Sequence, residues 1–251
     1  MHPSANKALG QHFLRDRRAI ARILSLLPRQ ARTLEIGPGP GALTLPMLRR
    51  GQPLAIIEKD DRFAAIWHAH PEITLVHGDV LQCLDDAVAR FQPDWIVGNL
   101  PYNISGPLTA RLAGIALTGG MILMYQREVA ERICAAAGSK PYGSLSVLVR
   151  HHYTPRLLFR LPPGAFSPPP KVHSAVVLLT PHHQARACSF QALQQAVRMG
   201  FRHRRKTIAN NFRGVLDAET WRQLAIEPSA RPEQLDYAAW MRLASRLAHL
   251  G

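Results

Sequence analysis

Four consecutive residues, Asn99-Leu100-Pro101-Tyr102, have the types and the order to do chemistry on a nucleobase. A purine amino group is a poor nucleophile because its lone pair is delocalised into the ring. Two acceptors placed on its N–H groups favour a nitrogen with more lone-pair character. The Asn99 side-chain oxygen and the Leu100 carbonyl can supply them. Pro101 stiffens the turn. Tyr102 can stack on the base and hold it in line with an electrophilic methyl. Such a transfer needs neither a metal nor a covalent nucleophile, because a sulfonium carries the leaving group. Taken alone, the tetrapeptide also reads as an Asn-initiated turn ending on a buried tyrosine.

A second set of residues suits a nucleoside cofactor. Glu35-Ile36-Gly37-Pro38-Gly39-Pro40-Gly41-Ala42 is a glycine turn of the kind that brings backbone amides close to a ligand. Gly37, Gly39 and Ala42 also satisfy the loose dinucleotide pattern G-x-G-x-x-A. Nicotinamide enzymes, flavoproteins and methyltransferases share that geometry. Glu58 closes the next apolar run, where an acid can accept from both ribose hydroxyls. Asp79 follows the third run and can accept from an adenine amino group. It can also serve as an N-cap for the turn that follows.

These residues need strands behind them. Residues 33–36, 54–57, 73–76, 95–97 and 120–125 read as short strands, separated by stretches such as 20–27, 42–48 and 62–68 with helical spacing. Asp16 is a candidate N-cap for the first helix. Short strands alternating with helices predict an α/β parallel sheet covered on both faces. Glu58, Asp79 and Asn99 then all sit at carboxyl ends of strands, where open sheets hold ligands. Residues 144–151 fit a strand or a helix. Residues 162–170 hold five prolines and read as a stiff irregular loop. A last strand is expected over 172–179. Beyond it, residues 190–201, 205–212, 218–224 and 237–247 read as helices. The expected division is therefore 1–181 for the ligand-binding domain and 182–251 for a small helical domain.

The charge indicates a partner. Lys and Arg number 31 against 17 Asp and Glu, a formal net of +14. No acidic residue lies between Glu131 and Asp217, an interval with thirteen Lys and Arg. A field of one sign on this scale attracts a polyanion such as RNA. Hydrophobic residues make up 47% of the chain, which excludes disorder over its whole length. No apolar run reads as a membrane span or signal peptide, so a cytoplasmic protein is expected. Three scattered cysteines and unclustered histidines imply neither a disulfide framework nor a metal site.

Together these motifs resemble the ribosomal RNA adenine N6-dimethyltransferase family, the kasugamycin- and erythromycin-resistance methyltransferases, along nearly the whole chain. Gln11-His12-Phe13-Leu14-Arg15-Asp16 resembles its opening motif, Glu35 to Gly41 its glycine loop, and Asn99 to Tyr102 its catalytic tetrapeptide. The resemblance implies a Rossmann-like methyltransferase domain and S-adenosyl-L-methionine as cofactor. His12, Leu14, Gly37, Glu58, Asp79 and Asn99 would bind that cofactor. Asn99, Leu100, Pro101 and Tyr102 would carry the chemistry. Phe166, in Gly164-Ala165-Phe166 before Pro168-Pro169-Pro170-Lys171-Val172, would stack on the opposite face of the target base. Arg204-Arg205-Lys206-Thr207 resembles a basic helical motif of the small domain. Pro40 departs from the leucine common in the glycine loop, and the small domain is somewhat short. The proline-rich loop and the small C-terminal domain resemble the housekeeping branch. That branch dimethylates two adjacent adenines in the 3′-terminal hairpin loop of small-subunit (16S) ribosomal RNA and implies a role in small-subunit biogenesis. The expected partner is that RNA or a pre-30S particle, met by a monomer without metal or membrane. Three alternatives remain: a resistance-type enzyme of large-subunit RNA, an assembly factor that only binds RNA, and a nicotinamide-dependent oxidoreductase. The last leaves Asn99 to Tyr102 without a role.

Overall fold

The computed structural model describes residues 3–182 and 187–249. The elements follow in the order β1 (Phe13–Leu14), α1 (Arg17–Leu24), β2 (Thr33–Ile36), α2 (Thr44–Arg49), β3 (Leu54–Glu58), α3 (Asp61–His68), β4 (Ile73–His77), α4 (Val80–Phe91), β5 (Trp95–Asn99), α5 (Ser105–Leu112) and β6 (Gly120–Gln126). Then come α6 (Arg127–Cys134), α7 (Ser144–Val149), β7 (Tyr153–Leu161), β8 (Phe166–Ser167), β9 (Ser174–Pro181), α8 (Phe190–Gly200), α9 (Ile208–Asn211), α10 (Ala218–Gln223) and α11 (Tyr237–Ala248).

Seven strands form one sheet in the order β4-β3-β2-β5-β6-β9-β7. The neighbours from β4 to β6 run parallel, and β9 runs antiparallel to β6. Every residue of β2 and β3 is buried, as a sheet covered on both faces requires. Full burial of one such aliphatic side chain, Leu34 or Ile56, stabilises the fold by about 1.5–3 kcal/mol. The chain leaves β2 in one direction for β3 and β4, and in the other for β5 and β6. The crevice between β2 and β5 is thus the topological switch point, where open α/β sheets bind ligands.

Local chemistry sets the helix starts. Asp16 accepts from the Ala19 amide and caps α1, which begins at Arg17, three residues before the expected stretch. Asp60 and Asp79 cap α3 and α4 in the same way. The undecided stretch at 144–151 forms the helix α7. Within the proline-rich segment, β8 pairs antiparallel with β1, so that Phe13 faces Ser167 and Leu14 faces Phe166. The Ser167-Pro168 bond is cis.

The chain divides into two compact units. One comprises Met1–Leu108, Ala116–Ala130 and Arg156–Pro181, and the other Thr109–Ile115, Glu131–Pro155 and His182–Gly251. In the second unit, the Phe201 ring stacks on Trp240 at 5.2 Å and the Tyr142 hydroxyl donates to the Leu235 carbonyl at 3.0 Å. Ser189, Thr207, Asp217 and Asp236 cap its helices. Residues 201–206 form a turn between α8 and α9, not part of a helix. The side chain of Thr207 accepts from the Asn210 amide and starts α9 only after the basic run.

Candidate active site

A cleft of about 850 Å³, part of it open to solvent, lies at the carboxyl ends of β2 to β5. Its walls are the expected loops. Gly37 and Gly39 follow β2, Glu58 ends β3 with Lys59 after it, Gly78 and Asp79 follow β4, and Asn99 ends β5 with residues 100–104 after it. Residues 9–13 complete the lining. His12, Gly37, Glu58, Asp79, Asn99, Leu100, Pro101 and Tyr102 are thus brought together. Leu14 and Phe166 are not among the lining residues. Both are about 95% buried, Leu14 at 5% and Phe166 at 4% exposure, and both belong to the apolar core. Their side chains fill the interior beneath the β1–β8 pair, which carries His12 and Phe13 at its edge.

The cofactor side is held by backbone. Gly37 adopts φ +67°, and a Cβ there would meet nothing within 4 Å, so its open side faces the cleft. Gly39, at φ +50°, lies so close to Phe13 that a Cβ would come within 3.0 Å of the ring. Its amide donates to one oxygen of Glu58 at 3.1 Å, and the Asp60 amide donates to the other at 2.8 Å. Glu58 is therefore locked in place while buried. Burial raises its pKa, opposed by the amide bonds. Asp79 caps α4 through Leu81 and also pairs with Lys59 at 2.8 Å. That cation and hydrogen bond lower its pKa, Lys59 being the larger cause. Asp79 therefore caps α4 and at the same time lines the cleft.

The target side is held by distant partners. The Asn99 side-chain nitrogen donates to the His12 carbonyl at 2.6 Å. A carbonyl only accepts, so this bond fixes the amide's orientation and leaves Oδ1 as its acceptor end. The Leu100 amide donates to the Met124 carbonyl at 3.3 Å and ties the turn to β6. The Tyr102 hydroxyl meets Ser174 Oγ at 2.5 Å, and its ring stacks on His12 with centroids 5.5 Å apart. His12 Nδ1–H in turn donates to the Pro168 carbonyl at 2.8 Å.

Some of the bonding partners lie inside the sequence motifs, and others carry no signal in the sequence. The Gln11 side chain donates to Asp60 at 2.8 Å and joins the N-terminal segment to the loop after β3. Arg62 on the same carboxylate holds the Asp60 pKa down at about 2. Glu35, within the glycine motif, is buried and accepts from the Thr44 hydroxyl at 2.7 Å. Burial pushes its pKa up to about 8. Ser174 could have been found only from its alternation within a strand. Among the described residues, no group of three or more His, Cys, Asp or Glu is placed to hold a metal ion. None of their helices is long and apolar enough to cross a membrane.

The ribosomal RNA adenine dimethylase family model matches residues 2–249. The chain belongs to the ribosomal RNA adenine dimethylase family. It is 43% identical to a protein of Xanthomonas oryzae pv. oryzae named ribosomal RNA small subunit methyltransferase A, across 96% of this chain and 95% of the relative. A protein of that name from Xanthomonas campestris pv. campestris is equally similar, with the same shares covered. A dimethyladenosine transferase from Plasmodium falciparum shares the fold, with a TM-score of 0.78 at 23% identity over 92% of this chain and 96% of that one. The 23S rRNA methyltransferase ErmE shares it with a TM-score of 0.64 at 22% identity, over 94% and 99%. The chain is thus a methyltransferase of the family by sequence, and its α/β sheet is the methyltransferase fold by structure.

Proposed function

We propose that this chain dimethylates the N6 amino groups of two adjacent adenines in the 3′-terminal hairpin loop of small-subunit ribosomal RNA, as part of small-subunit biogenesis in the cytoplasm. The observation that carries this reading is the Asn99–Tyr102 turn at the end of β5, opening on the cleft that also holds Gly37 and Glu58. The relatives' name favours the small subunit over the large one.

The cleft suits S-adenosyl-L-methionine. Glu58 offers a locked carboxylate for two ribose hydroxyls, Ile36, Ile57 and Val80 are apolar walls for an adenine, and Asp79 accepts at its edge. Gly37 leaves room for the backbone to approach, and His12 stands towards the target side. When bound, this cofactor supplies the electrophilic methyl and its own leaving group. Leu14 supports that end from within the core. Asn99 Oδ1 and the Leu100 carbonyl accept hydrogen bonds from both N6–H groups in the first transfer and from the one that remains in the second, directing the nitrogen's lone pair at the methyl, and the alkylated nitrogen then gives up its proton to solvent. These acceptors are preorganised, so they need no rearrangement as charge develops. Tyr102, backed on one face by His12, offers its other face to the flipped base. Phe166 acts through the β1–β8 pair that carries His12. The first unit holds cofactor and chemistry, while the second, which takes in residues 109–115 and 131–155 as well as the expected 182–251, grips RNA. There Arg202, Arg205 and Lys206 are exposed for phosphate. Arg204 donates to the Lys140 carbonyl at 2.7 Å and braces the unit instead.

Two assays test the reading together. Calorimetry should give binding of S-adenosyl-L-methionine and none of NAD. Purified small-subunit particles should then accept methyl groups. Binding without transfer would leave an RNA-binding assembly factor, and NAD binding would overturn the cofactor.

A further inference from the structure

We infer that a second, smaller pocket at the carboxyl end of β6 holds the nucleotide next to the adenine being methylated. This rests on the function proposed above. The pocket, of about 560 Å³ with part of it open to solvent, is lined by Gln126, Arg127 and Glu128 on one side and by Lys171, Val172 and His173 on the other. Neither motif residue of the cleft nor cofactor contact lies in it.

Its position follows from the strand register. β5 and β6 are parallel neighbours with Asn99 opposite Met124, so their carboxyl ends open on the same edge of the sheet. Two residues past Met124, Gln126 lies opposite Ser174 of β9. Ser174 is the residue whose hydroxyl meets the Tyr102 hydroxyl at 2.5 Å. The pocket wall therefore stands about one strand spacing, roughly 4.8 Å, from the residue that anchors the target-side aromatic. The Arg127 amide donates to the His173 carbonyl at 2.9 Å, which ties the two walls together.

The lining matches a nucleotide part by part. A glutamine amide has a donor and an acceptor that can pair with the edge of an adenine. Val172 is 44% exposed, one of two large apolar side chains exposed to that degree among the described residues, and it offers a face for a base. Arg127 and Lys171 are exposed cations suited to the phosphates on either side. Glu128 is the single acid of the lining, so cations outnumber it. RNA recognised as a single strand is held through splayed bases in this way, by base edge, base face and backbone. With two adjacent adenines as substrate, the pocket seats one while the other is in the cleft, which fixes the register of each transfer.

The test uses small subunits reconstituted with an intact or an abasic nucleotide beside the target adenine. Single-turnover transfer is followed with the parent and with the double variant Gln126→Ala, Val172→Asp. The parent should lose about tenfold on the abasic substrate. The variant should start about tenfold lower on intact subunits and lose less than about twofold more on abasic ones, with cofactor affinity unchanged. An equal loss for parent and variant on the abasic substrate would overturn the pocket. A parent that transfers nothing to intact small subunits would instead defeat the proposed function.

Discussion

The cofactor side and the target side of the cleft are built differently. Glu58 is held by amides from Gly39 and Asp60, 19 and 2 residues away in the chain. Asn99 is oriented by a carbonyl 87 residues away, and Tyr102 by a hydroxyl 72 residues away. The Glu58 clamp is set within one continuous stretch, from the turn after β2 to the start of α3. The target side exists only when the N-terminal segment, the β5 turn and β9 have come together. The cofactor side should therefore survive substitutions that ruin the target side.

The largest effect that separates the two sides is expected at Asn99. With saturating S-adenosyl-L-methionine, Asn99→Ala should cut single-turnover transfer by about a hundredfold or more, roughly 2.7 kcal/mol, while RNA affinity stays near the parent's. Equal losses in rate and RNA affinity would place Asn99 in substrate binding instead. Glu58→Ala probes the opposite side. It should weaken cofactor binding by about 1–3 kcal/mol in calorimetry and leave RNA affinity alone. Tyr102→Ala should lose about 1–3 kcal/mol of stacking, seen partly as poorer capture of the base. Tyr102→Phe keeps the ring and gives up only the bond to Ser174, so it should stay within about threefold of the parent. A Phe variant as poor as Ala would make the hydroxyl, not the ring, the working group.

Two smaller effects sharpen the comparison. Phe166 is buried beneath the β1–β8 pair, so Phe166→Leu should cost about 1 kcal/mol in denaturant unfolding and change the rate little. A large kinetic effect with unchanged stability would return Phe166 to the base. Burial raises the Glu35 pKa to about 8 in the fold, against its ordinary value of 4.5. The folded state thus binds this proton more tightly, and the contribution is fully present below pH 4.5. It is lost as pH rises through 8. Glu35→Gln should flatten that fall in unfolding midpoints, and an unchanged pH profile would remove Glu35 as its source.

The same contrast explains what the sequence made legible. The buried runs at Thr33–Ile36 and Leu54–Glu58 announce themselves as strands, and their ends carry the cofactor residues. The helix at Val80–Phe91 is absent from the sequence reading, where Asp79 is taken first as a ligand acid and only second as a cap for a turn. The strand Tyr153–Leu161 contains Pro155, which argues against a strand in sequence but is tolerated at the sheet edge where this one lies. The basic run at Arg204–Lys206 shows no feature that ends a helix before it, so the turn there came only with the Thr207 cap. The bonds from Asn99 to His12 and from Tyr102 to Ser174 are tertiary, and no local pattern encodes them.

The central claim is methyl transfer to two adjacent adenines of small-subunit RNA, and mapping the product tests it most directly. Small and large ribosomal subunits, each lacking prior methylation, are incubated with the chain and labelled S-adenosyl-L-methionine, and the modified nucleotides are located. The account predicts N6,N6-dimethyladenine at two neighbouring positions in the 3′-terminal hairpin loop of the small subunit and no label in the large one. Label confined to a large-subunit adenine, or placed on another atom or base, would contradict it.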